Sequence, residues 1–289
     1  MQNMHFTRSV LCWLGFLYAV MLSNTASASL LWHIEKAGRQ NHILGTFHVA
    51  DRDIVSLPRY IDQVVGNAGH LILEVKQDAR AQQIIADRSL LQRSTLPQLV
   101  GRDLYGRVTS AMKQRGLPAA GLQRLKPWAV GLMLNFPAPS LEPVLDVSLQ
   151  YRFQDAGKPV SALESIDEQL DLFDQLPLEE QIEFLESALQ HLPEFDRNMT
   201  QMKQLYKAGD LNAIHRFAEE QLTVSNSAAM ERLMTNIVEH RNQRMFLRLL
   251  PHLTGSGTLI AVGALHLPGI QGLLQLLKNA GYRVTPVTP

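Results

Sequence analysis

Short apolar blocks bounded by turn-forming residues occur at both ends of the sequence and predict β-strands there. Near the N-terminus, Leu30–Ile34 and His42–Phe47 flank the turn-prone segment Ala37–Gln40 and predict a hairpin. The nearly continuous apolar run Leu71–Val75 is typical of a strand buried on both faces, as in a parallel sheet. The remaining predicted strands are Pro159–Leu163, Thr258–Val262 and Tyr282–Pro286.

Apolar residues spaced three or four apart predict helices through most of the remaining chain. The predicted helices are Pro58–Val64, Leu178–Gln190, Ala228–Leu250 and Gly269–Ala280. Each end of the chain therefore has the order strand, Gly-x-x-His, helix, strand. We expect an α/β fold, with a mixed sheet core built from these two units and a large helical middle segment. The simplest organisation is a single domain over residues 29–289 with a helical insertion at about 79–250, and the alternative is a separate helical domain.

The first 28 residues have the three parts of a secretory signal peptide. Arg8 supplies the positive charge, Val10–Leu22 the apolar stretch and Ala26-Ser27-Ala28 the small-residue cleavage site. The apolar stretch is shorter than the ~20 residues that a membrane span needs. We therefore expect cleavage and a periplasmic or secreted protein that is not bound to a membrane, with a retained signal anchor as the alternative.

Charge and cysteine content restrict the class of protein. Lys and Arg together number 27, as do Asp and Glu, and there are no basic runs. This balance argues against nucleic acid as a partner and against electrostatic binding to membranes. The single cysteine, Cys12, lies in the expected signal peptide. A periplasmic enzyme or binding protein of a bacterium fits this composition better than a small disulfide-rich module does.

Two Gly-x-x-His motifs are the first candidates for chemistry. Gly45 and Gly263 stand where predicted strands end, and His48 and His266 follow three residues later. Ligands of open α/β sheets bind beyond the carboxyl ends of the strands, so both imidazoles reach one crevice if the two strands are neighbours. The alternative for each motif is a partly buried histidine that is hydrogen-bonded to the backbone.

Glu74 ends an apolar run in which an unpaired carboxylate would cost several kcal/mol to bury. It therefore needs a cation, a hydrogen-bond network or a metal, unless the strand end is solvated. With His48 and His266, it would form a typical site for a divalent ion.

Arg241 falls on the apolar face of a predicted helix, with Asn242 at the edge of that face. A guanidinium in such a place pairs with a carboxylate or reaches a substrate oxyanion. Asp51 follows His48 closely and is expected either to orient an imidazole near the site or to cap the next helix.

These residues make the sequence resemble the TraB/GumN family, which is related to the TIKI metalloproteases and shares the superfamily of the erythromycin-esterase and ChaN-like proteins. The likeness covers nearly the whole mature chain. Its motifs are Leu30-Leu31-Trp32, Leu44-Gly45-Thr46-Phe47-His48-Val49, Leu73-Glu74-Val75, Lys126-Pro127-Trp128, Leu145-Asp146, Gly157-Lys158-Pro159-Val160, Leu163-Glu164, Arg241-Asn242-x-x-Met245 and Val262-Gly263-Ala264-Leu265-His266-Leu267-Pro268-Gly269.

The resemblance implies an α/β core with added helices and an active centre at the paired motifs. By the same resemblance His48, Glu74 and His266 bind a divalent metal, with manganese or cobalt favoured over zinc. The resemblance also implies that Arg241 and Asn242 line the site. Phe47 stands where isoleucine is commoner in the family.

The leading functional hypothesis is a metal-dependent hydrolase that acts on peptides. A bound ion would lower the pKa of a water molecule, Glu74 or Asp51 would accept a proton, and Arg241 would stabilise the oxyanion. A second hypothesis is a non-catalytic protein that sequesters a peptide or another small-molecule signal in the same pocket. A third is a haem- or iron-binding protein with His48 or His266 as axial ligand.

Overall fold

The computed structural model describes residues 29–289 except Pro118, residues 138–141 and residues 224–226. The predicted signal peptide, residues 1–28, lies outside the described residues. Within the part of the chain that is described, no helix is both long enough and apolar enough to cross a bilayer.

Six strands form one mixed sheet. They are β1 (Leu31–Lys36), β2 (Arg39–Thr46), β3 (His70–Leu73), β4 (Val160–Ala162), β5 (Thr258–Gly263) and β6 (Arg283–Pro286). Their order across the sheet is β4-β3-β5-β2-β1-β6. The four strands from β4 to β2 are mutually parallel, whereas β1 runs antiparallel to both β2 and β6. The hairpin predicted at the N-terminus is β1–β2, and it turns through Ala37 and Gly38, which both have positive φ.

Burial on both faces explains the apolar runs of the central strands. Every residue of β5 is buried, and β3 is buried from Leu71 onward. These two strands lie side by side in the middle of the parallel part of the sheet. Strand β3 ends at Leu73, so Glu74 is the first residue beyond it.

Helices surround this sheet and make up most of the middle of the chain. They are α1 (Arg52–Val55), α2 (Arg59–Asn67), α3 (Ala79–Arg88), α4 (Leu96–Gln114), α5 (Pro127–Asn135), α6 (Leu145–Asp155), α7 (Ile166–Asp174), α8 (Leu178–His191), α9 (Phe195–Ala208), α10 (Leu211–Thr223), α11 (Ala228–Thr235), α12 (Arg241–Leu249) and α13 (Leu273–Asn279). Helix α8 matches its prediction within one residue.

Two predicted helices differ in detail from the structure. The segment Ala228–Leu250 is interrupted by a π-helical turn, Asn236–His240, between α11 and α12. Helix α13 begins at Leu273, later than predicted, because Gly269 has φ +85° and the chain turns before the helix starts. Such a φ is favourable for glycine and ends any regular helix at that position.

The sheet and the helical middle segment each have a hydrophobic core. The largest core surrounds the sheet and includes Ile72, Ile260 and Leu267. A second core joins α4, α5 and α8 through residues such as Met112, Val130 and Leu185. The predicted fold class is confirmed: a mixed sheet with a large helical segment.

Candidate active site

Three neighbouring parallel strands bring the predicted site residues together at the carboxyl-terminal ends of the strands. Strand β5 lies between β3 and β2, and Thr46 at the end of β2 pairs with Gly263 at the end of β5. Parallel strands that are in register end on the same side of a sheet. The chain therefore leaves β2, β5 and β3 beside one another and continues directly into His48, His266 and Glu74.

Gly263 marks the point at which these side chains meet. A Cβ atom added there would lie 3.2 Å from Glu74 Oε1, 3.5 Å from His266 Cδ2 and 3.5 Å from His48 Nε2. The φ of Gly263 is −51°, so the glycine is needed for close approach and not for a left-handed backbone. The two Gly-x-x-His motifs and the glutamate thus share one crevice, as the sequence indicated.

Gly45 lies in the wall behind the site. An added Cβ at this position would meet Ala264 Cα at 3.2 Å and Leu267 Cδ1 at 3.1 Å. The carbonyl of Gly45 accepts a hydrogen bond from the hydroxyl of Tyr206 at 2.9 Å. The absence of a side chain therefore lets the turn that carries His266 pack directly on β2.

His266 is buried, and Asn242 fixes its tautomer. The Nδ1 atom of His266 lies 2.7 Å from Asn242 Oδ1, and Asn242 Nδ2 donates to the carbonyl of Gln271 at 2.9 Å. Because the amide of Asn242 is oriented by that second bond, its oxygen accepts from Nδ1–H of His266. Burial lowers the pKa of His266 to about 4, against the opposing charge of Glu74. Its Nε2 atom is therefore unprotonated at neutral pH.

His48 is held by Asp146, a residue of α6. Its Nδ1 atom lies 2.9 Å from Asp146 Oδ2, and Asp146 Oδ1 accepts a hydrogen bond from the Thr46 hydroxyl at 2.8 Å. The charge of Asp146 raises the pKa of His48 to about 9, although burial opposes this. The His48 side chain keeps 46% of its surface accessible, because it lines a cavity next to the sheet.

Asp51 is a capping residue and does not line the cavity. Its side chain accepts from the backbone N–H of Asp53 and so caps α1, and its second oxygen is 2.6 Å from Lys203 Nζ. The hydrogen bond from Lys203 lowers the pKa of Asp51, although desolvation opposes it, and the backbone N–H of Asp53 and the charge of Lys203 lower it further. The residue that orients an imidazole is Asp146, so the assignment of Asp51 to the site is corrected in favour of the helix cap.

Glu74 is a buried carboxylate with four polar neighbours, of which the amide of Gln169 is the most weakly bound, at 3.4 Å from Oε2. Its Oε1 accepts from the backbone N–H of Gly263 at 2.6 Å and lies 3.6 Å from His266 Nε2, while its Oε2 accepts from Arg241 Nη2 at 2.5 Å. Burial alone would raise the pKa of Glu74. The charges of His266, which is protonated only below about pH 4, of Arg241 and of His48, with the hydrogen bond from Gly263, outweigh it and hold the pKa at about 2. Glu74 is thus ionised throughout the neutral range.

Arg241 forms a buried ion pair with two carboxylates. Besides Glu74, it contacts Glu164 Oε2 through Nε at 2.9 Å and through Nη2 at 2.7 Å. The side chain of Glu164 is fully buried. Burial favours the neutral guanidine, but the two carboxylates outweigh it and raise the pKa of Arg241. Of the alternatives for Arg241, the structure shows pairing with carboxylates. Its Nη1 has a single long hydrogen bond, 3.4 Å to the carbonyl of Ile237.

These side chains form one wall of a cavity of about 840 Å³. The other walls come from helices of the middle segment and are mostly apolar. Aromatic and sulfur-containing side chains are numerous among them: Phe47, Trp128, Met133, Phe136, Phe173, Met199, Met202, Tyr206 and Met234. Pockets of roughly 300–1,000 Å³ with a few convergent polar groups are the usual sites of small-molecule and substrate binding.

The donor atoms at Gly263 suit a divalent metal in chemistry and partly in spacing. Bonds from a metal to an imidazole nitrogen or a carboxylate oxygen are about 2.1 Å long, so His266 Nε2 and Glu74 Oε1 at 3.6 Å are close enough to share one ion. These two electron-rich atoms face each other in a buried place, where a cation between them is stabilising. Among the described residues, no three His, Cys, Asp or Glu side chains are close enough together to hold one ion as they stand.

Asp146 and Glu164 were not assigned to the site from the sequence. Asp146 is 100 positions from Thr46, which it contacts, and Glu164 is 77 positions from Arg241. Each follows a leucine in a segment of the family resemblance, Leu145-Asp146 and Leu163-Glu164. That pairing of a buried leucine with an acid was the available signal, because an acid next to a core residue needs a polar partner.

The comparisons with known proteins agree with the resemblance. The profile described as the TraB/PrgY/gumN family matches residues 30–286. A protein of Amphimedon queenslandica named "Metalloprotease TIKI homolog" is 24% identical over 318 aligned positions, which cover 91% of this chain and 62% of that protein. The chain thus spans somewhat less than two thirds of that relative. No solved structure gives a significant match.

Proposed function

The chain belongs to the TraB/PrgY/gumN family, and we propose that it is a divalent-metal-dependent hydrolase that cleaves amide bonds in peptides. Its predicted signal peptide supports action in the periplasm or outside the cell. The observation that carries the proposal is the meeting of His48, Glu74 and His266 at Gly263, on the wall of a large cavity. The name of the Amphimedon queenslandica relative supports the same class of reaction.

Glu74 and His266 would hold the ion, with His48 as the third ligand after release of its Nε2 proton, and manganese or cobalt is proposed ahead of zinc. A bound divalent ion supplies Lewis acidity and lowers the pKa of bound water toward neutrality. Glu74 is assigned as a ligand and not as the general base, because a carboxylate with a pKa of about 2 has little affinity for a proton at neutral pH. Asn242 orients His266, and Asp146 orients His48.

Arg241 is proposed to have two roles. Its Nε and Nη2 atoms hold Glu74 and Glu164, which fixes the carboxylate beside His266. Its Nη1 atom makes only the long bond to the carbonyl of Ile237, and the residue lines the cavity. An N–H group of Nη1 is therefore available to a substrate oxygen that becomes negative in the transition state, a contribution worth several kcal/mol in enzymes of this kind.

A peptide-cleavage assay tests the proposal. The mature protein, residues 29–289, is incubated with a mixed peptide library and Mn²⁺ or Co²⁺, with and without EDTA, and products are identified by mass spectrometry. We expect metal-dependent cleavage that is lost in His266→Ala and retained in His252→Ala, whose ring contacts His70 away from this cavity. Peptide binding without turnover would instead support the sequestering protein, and equal activity in His266→Ala would contradict the proposed site.

A further inference from the structure

The apolar part of the cavity points to the class of substrate. Resting on the proposed amide hydrolysis, we propose that the cavity holds a long aliphatic acyl chain and that the scissile bond joins this acyl group to an amine, such as the N-terminus of a peptide. In this reaction water adds to the acyl carbon, the C–N bond breaks, and a fatty carboxylate and a free amine leave.

Charged groups in the cavity are confined to the proposed site. Its charged or titratable lining residues are those of the site itself, His48, Glu74, Arg241 and His266, and among the described residues no other Asp, Glu, Lys, Arg or His lines it. Any part of a substrate that extends past the site therefore meets no ionic partner. A neutral apolar group is the chemistry that such walls favour.

Most of the hydrogen-bond donors on the polar lining residues are already bonded to other groups of the protein. The hydroxyls of Thr46, Ser89 and Tyr206 donate to Asp146, to the carbonyl of Ile85 and to the carbonyl of Gly45, respectively. The amides of Asn135 and Gln169 also donate to protein partners, the carbonyl of Gly131 and the carboxylates of Glu74 and Glu164.

This hydrogen bonding distinguishes an acyl chain from a peptide. A peptide segment in the cavity would bring one N–H and one C=O for each residue, and buried groups of this kind need partners. With most of the lining donors engaged elsewhere, several backbone groups of a peptide would be left without a partner. A hydrocarbon chain brings no polar groups, so its burial carries no free-energy cost from unpaired donors or acceptors.

The methionine content of the walls also favours a flexible acyl chain. Four methionines, Met133, Met199, Met202 and Met234, line the cavity from α5, α9 and α11. Methionine is unbranched and flexible, and it adapts to apolar ligands of irregular shape. Walls of this composition suit a flexible chain whose length varies among substrates.

Fatty-acid binding tests the proposal separately from catalysis. The probe is dansyl-undecanoic acid, displaced by straight-chain fatty acids of 4 to 16 carbons, with the metal-loaded protein and with its His266→Ala variant. We expect affinity to rise about fourfold for each added methylene until the cavity is filled. Displacement that does not depend on chain length, or that an apolar heptapeptide achieves more strongly, would overturn the inference.

A cavity-filling substitution locates the bound chain. Ala129 is buried in α5 and lines the cavity, so Ala129→Leu should shorten the longest chain that binds well and reduce affinity for 16-carbon acids at least tenfold. Ala156→Leu, at an exposed position outside the cavity, is the matched control and should bind as the parent does. If Ala129→Leu does not fold, Met199→Trp, on another wall, serves in its place. Unchanged affinity in a folded filling variant would overturn the inference.

Hydrolysis of N-acyl amino acids then separates the two proposals. Chain-dependent binding together with cleavage of N-palmitoyl but not N-acetyl amides supports both. Cleavage of unacylated peptides without fatty-acid binding would leave the hydrolase in place and overturn the acyl-chain inference. Chain-dependent binding without cleavage of any amide would leave the cavity assignment in place and contradict the hydrolase.

Discussion

Asn242 Oδ1 lies 2.7 Å from Nδ1 of His266, and this bond leaves the Nε2 lone pair of His266 facing Glu74. The two residues come from different elements, α12 and the turn after β5, and both are buried. Partners of this kind set the tautomer and the direction of a metal-binding imidazole. The relationship explains why an asparagine stands beside Arg241 at the edge of an apolar helix face.

Replacing Asn242 tests this relationship. Asn242→Ala should lower affinity for Mn²⁺ or Co²⁺ about 10- to 100-fold, because His266 loses its orientation, and should cost about 1–3 kcal/mol of folding free energy from unpaired buried groups. Gln243→Ala is the matched control. Its amide donates to the side chain of Gln271 at an exposed position, so both quantities should stay near the parent values. Metal titration and urea denaturation measure them, and equal behaviour of the two variants would contradict the assigned role.

Gly263→Ala should remove metal binding while the protein remains folded. The added methyl group would occupy the point around which Glu74 Oε1 and both imidazoles are arranged, at 3.2–3.5 Å from each. Its φ of −51° is suitable for alanine, so little backbone strain is expected.

Gly106→Ala provides the comparison for that variant. Gly106 lies within α4 with open space around it, and alanine there should raise stability by about 0.5–1 kcal/mol. In calorimetric titration with Co²⁺, Gly263→Ala should show no binding, whereas Gly106→Ala should bind as the parent does. A Gly263→Ala protein that binds Co²⁺ as tightly as the parent would show that the ion does not lie at this point.

Glu164→Gln should destabilise the protein strongly. The substitution removes one of the two carboxylates that neutralise the buried guanidinium of Arg241, and the loss of a partner from a buried ion pair costs about 3–5 kcal/mol. Glu168→Gln removes a surface ion pair with Arg248 and keeps a residue suited to its helix cap, so it should cost at most about 1 kcal/mol. Urea denaturation gives both values, and similar losses for the two would contradict the importance of the buried pair.

The pairing of His48 with Asp146 predicts a pH dependence of stability in chelator-treated protein. A histidine whose pKa rises to about 9 on folding, from 6.5, contributes stability that is complete below pH 6.5 and is lost as the pH rises through about 9. The difference in unfolding free energy between the parent and Asp146→Asn should therefore be larger at about pH 6 than at about pH 9.5.

The same variant gives a direct spectroscopic result. NMR titration of the His48 ring should show the pKa falling toward its ordinary value of 6.5 in Asp146→Asn. Asp53→Asn, which removes a carboxylate that contacts Lys207 at the surface, should leave that titration unchanged. A His48 pKa that is the same in the parent and in Asp146→Asn would contradict the pairing.

The sequence was sufficient to predict the strands and the residues at their ends. Apolar runs such as Leu71–Val75 and the two Gly-x-x-His motifs are local patterns, and the two imidazoles were expected to share one crevice if their strands are neighbours. The register between β2 and β5, which pairs Thr46 with Gly263, agrees with that expectation.

The partners of the site residues could not be predicted in the same way. Asp51 is three positions from His48 and was an obvious candidate, yet α6 brings Asp146 to the imidazole from 98 positions away. Packing of the middle segment against the sheet decides that contact, and periodicity within one helix contains no information about it. The same holds for Glu164, which reaches Arg241 only after β4 joins the edge of the sheet.

Elemental analysis of the purified protein shows whether His48, Glu74 and His266 hold one divalent ion. Residues 29–289 are purified without chelator or immobilised nickel, beside a His48→Ala/His266→Ala variant whose fold is checked by circular dichroism. We expect about one transition-metal ion, manganese or cobalt, for each parent chain and almost none for the double variant. A metal-free parent that also fails to bind added Mn²⁺ or Co²⁺, or equal metal content in both proteins, would contradict it.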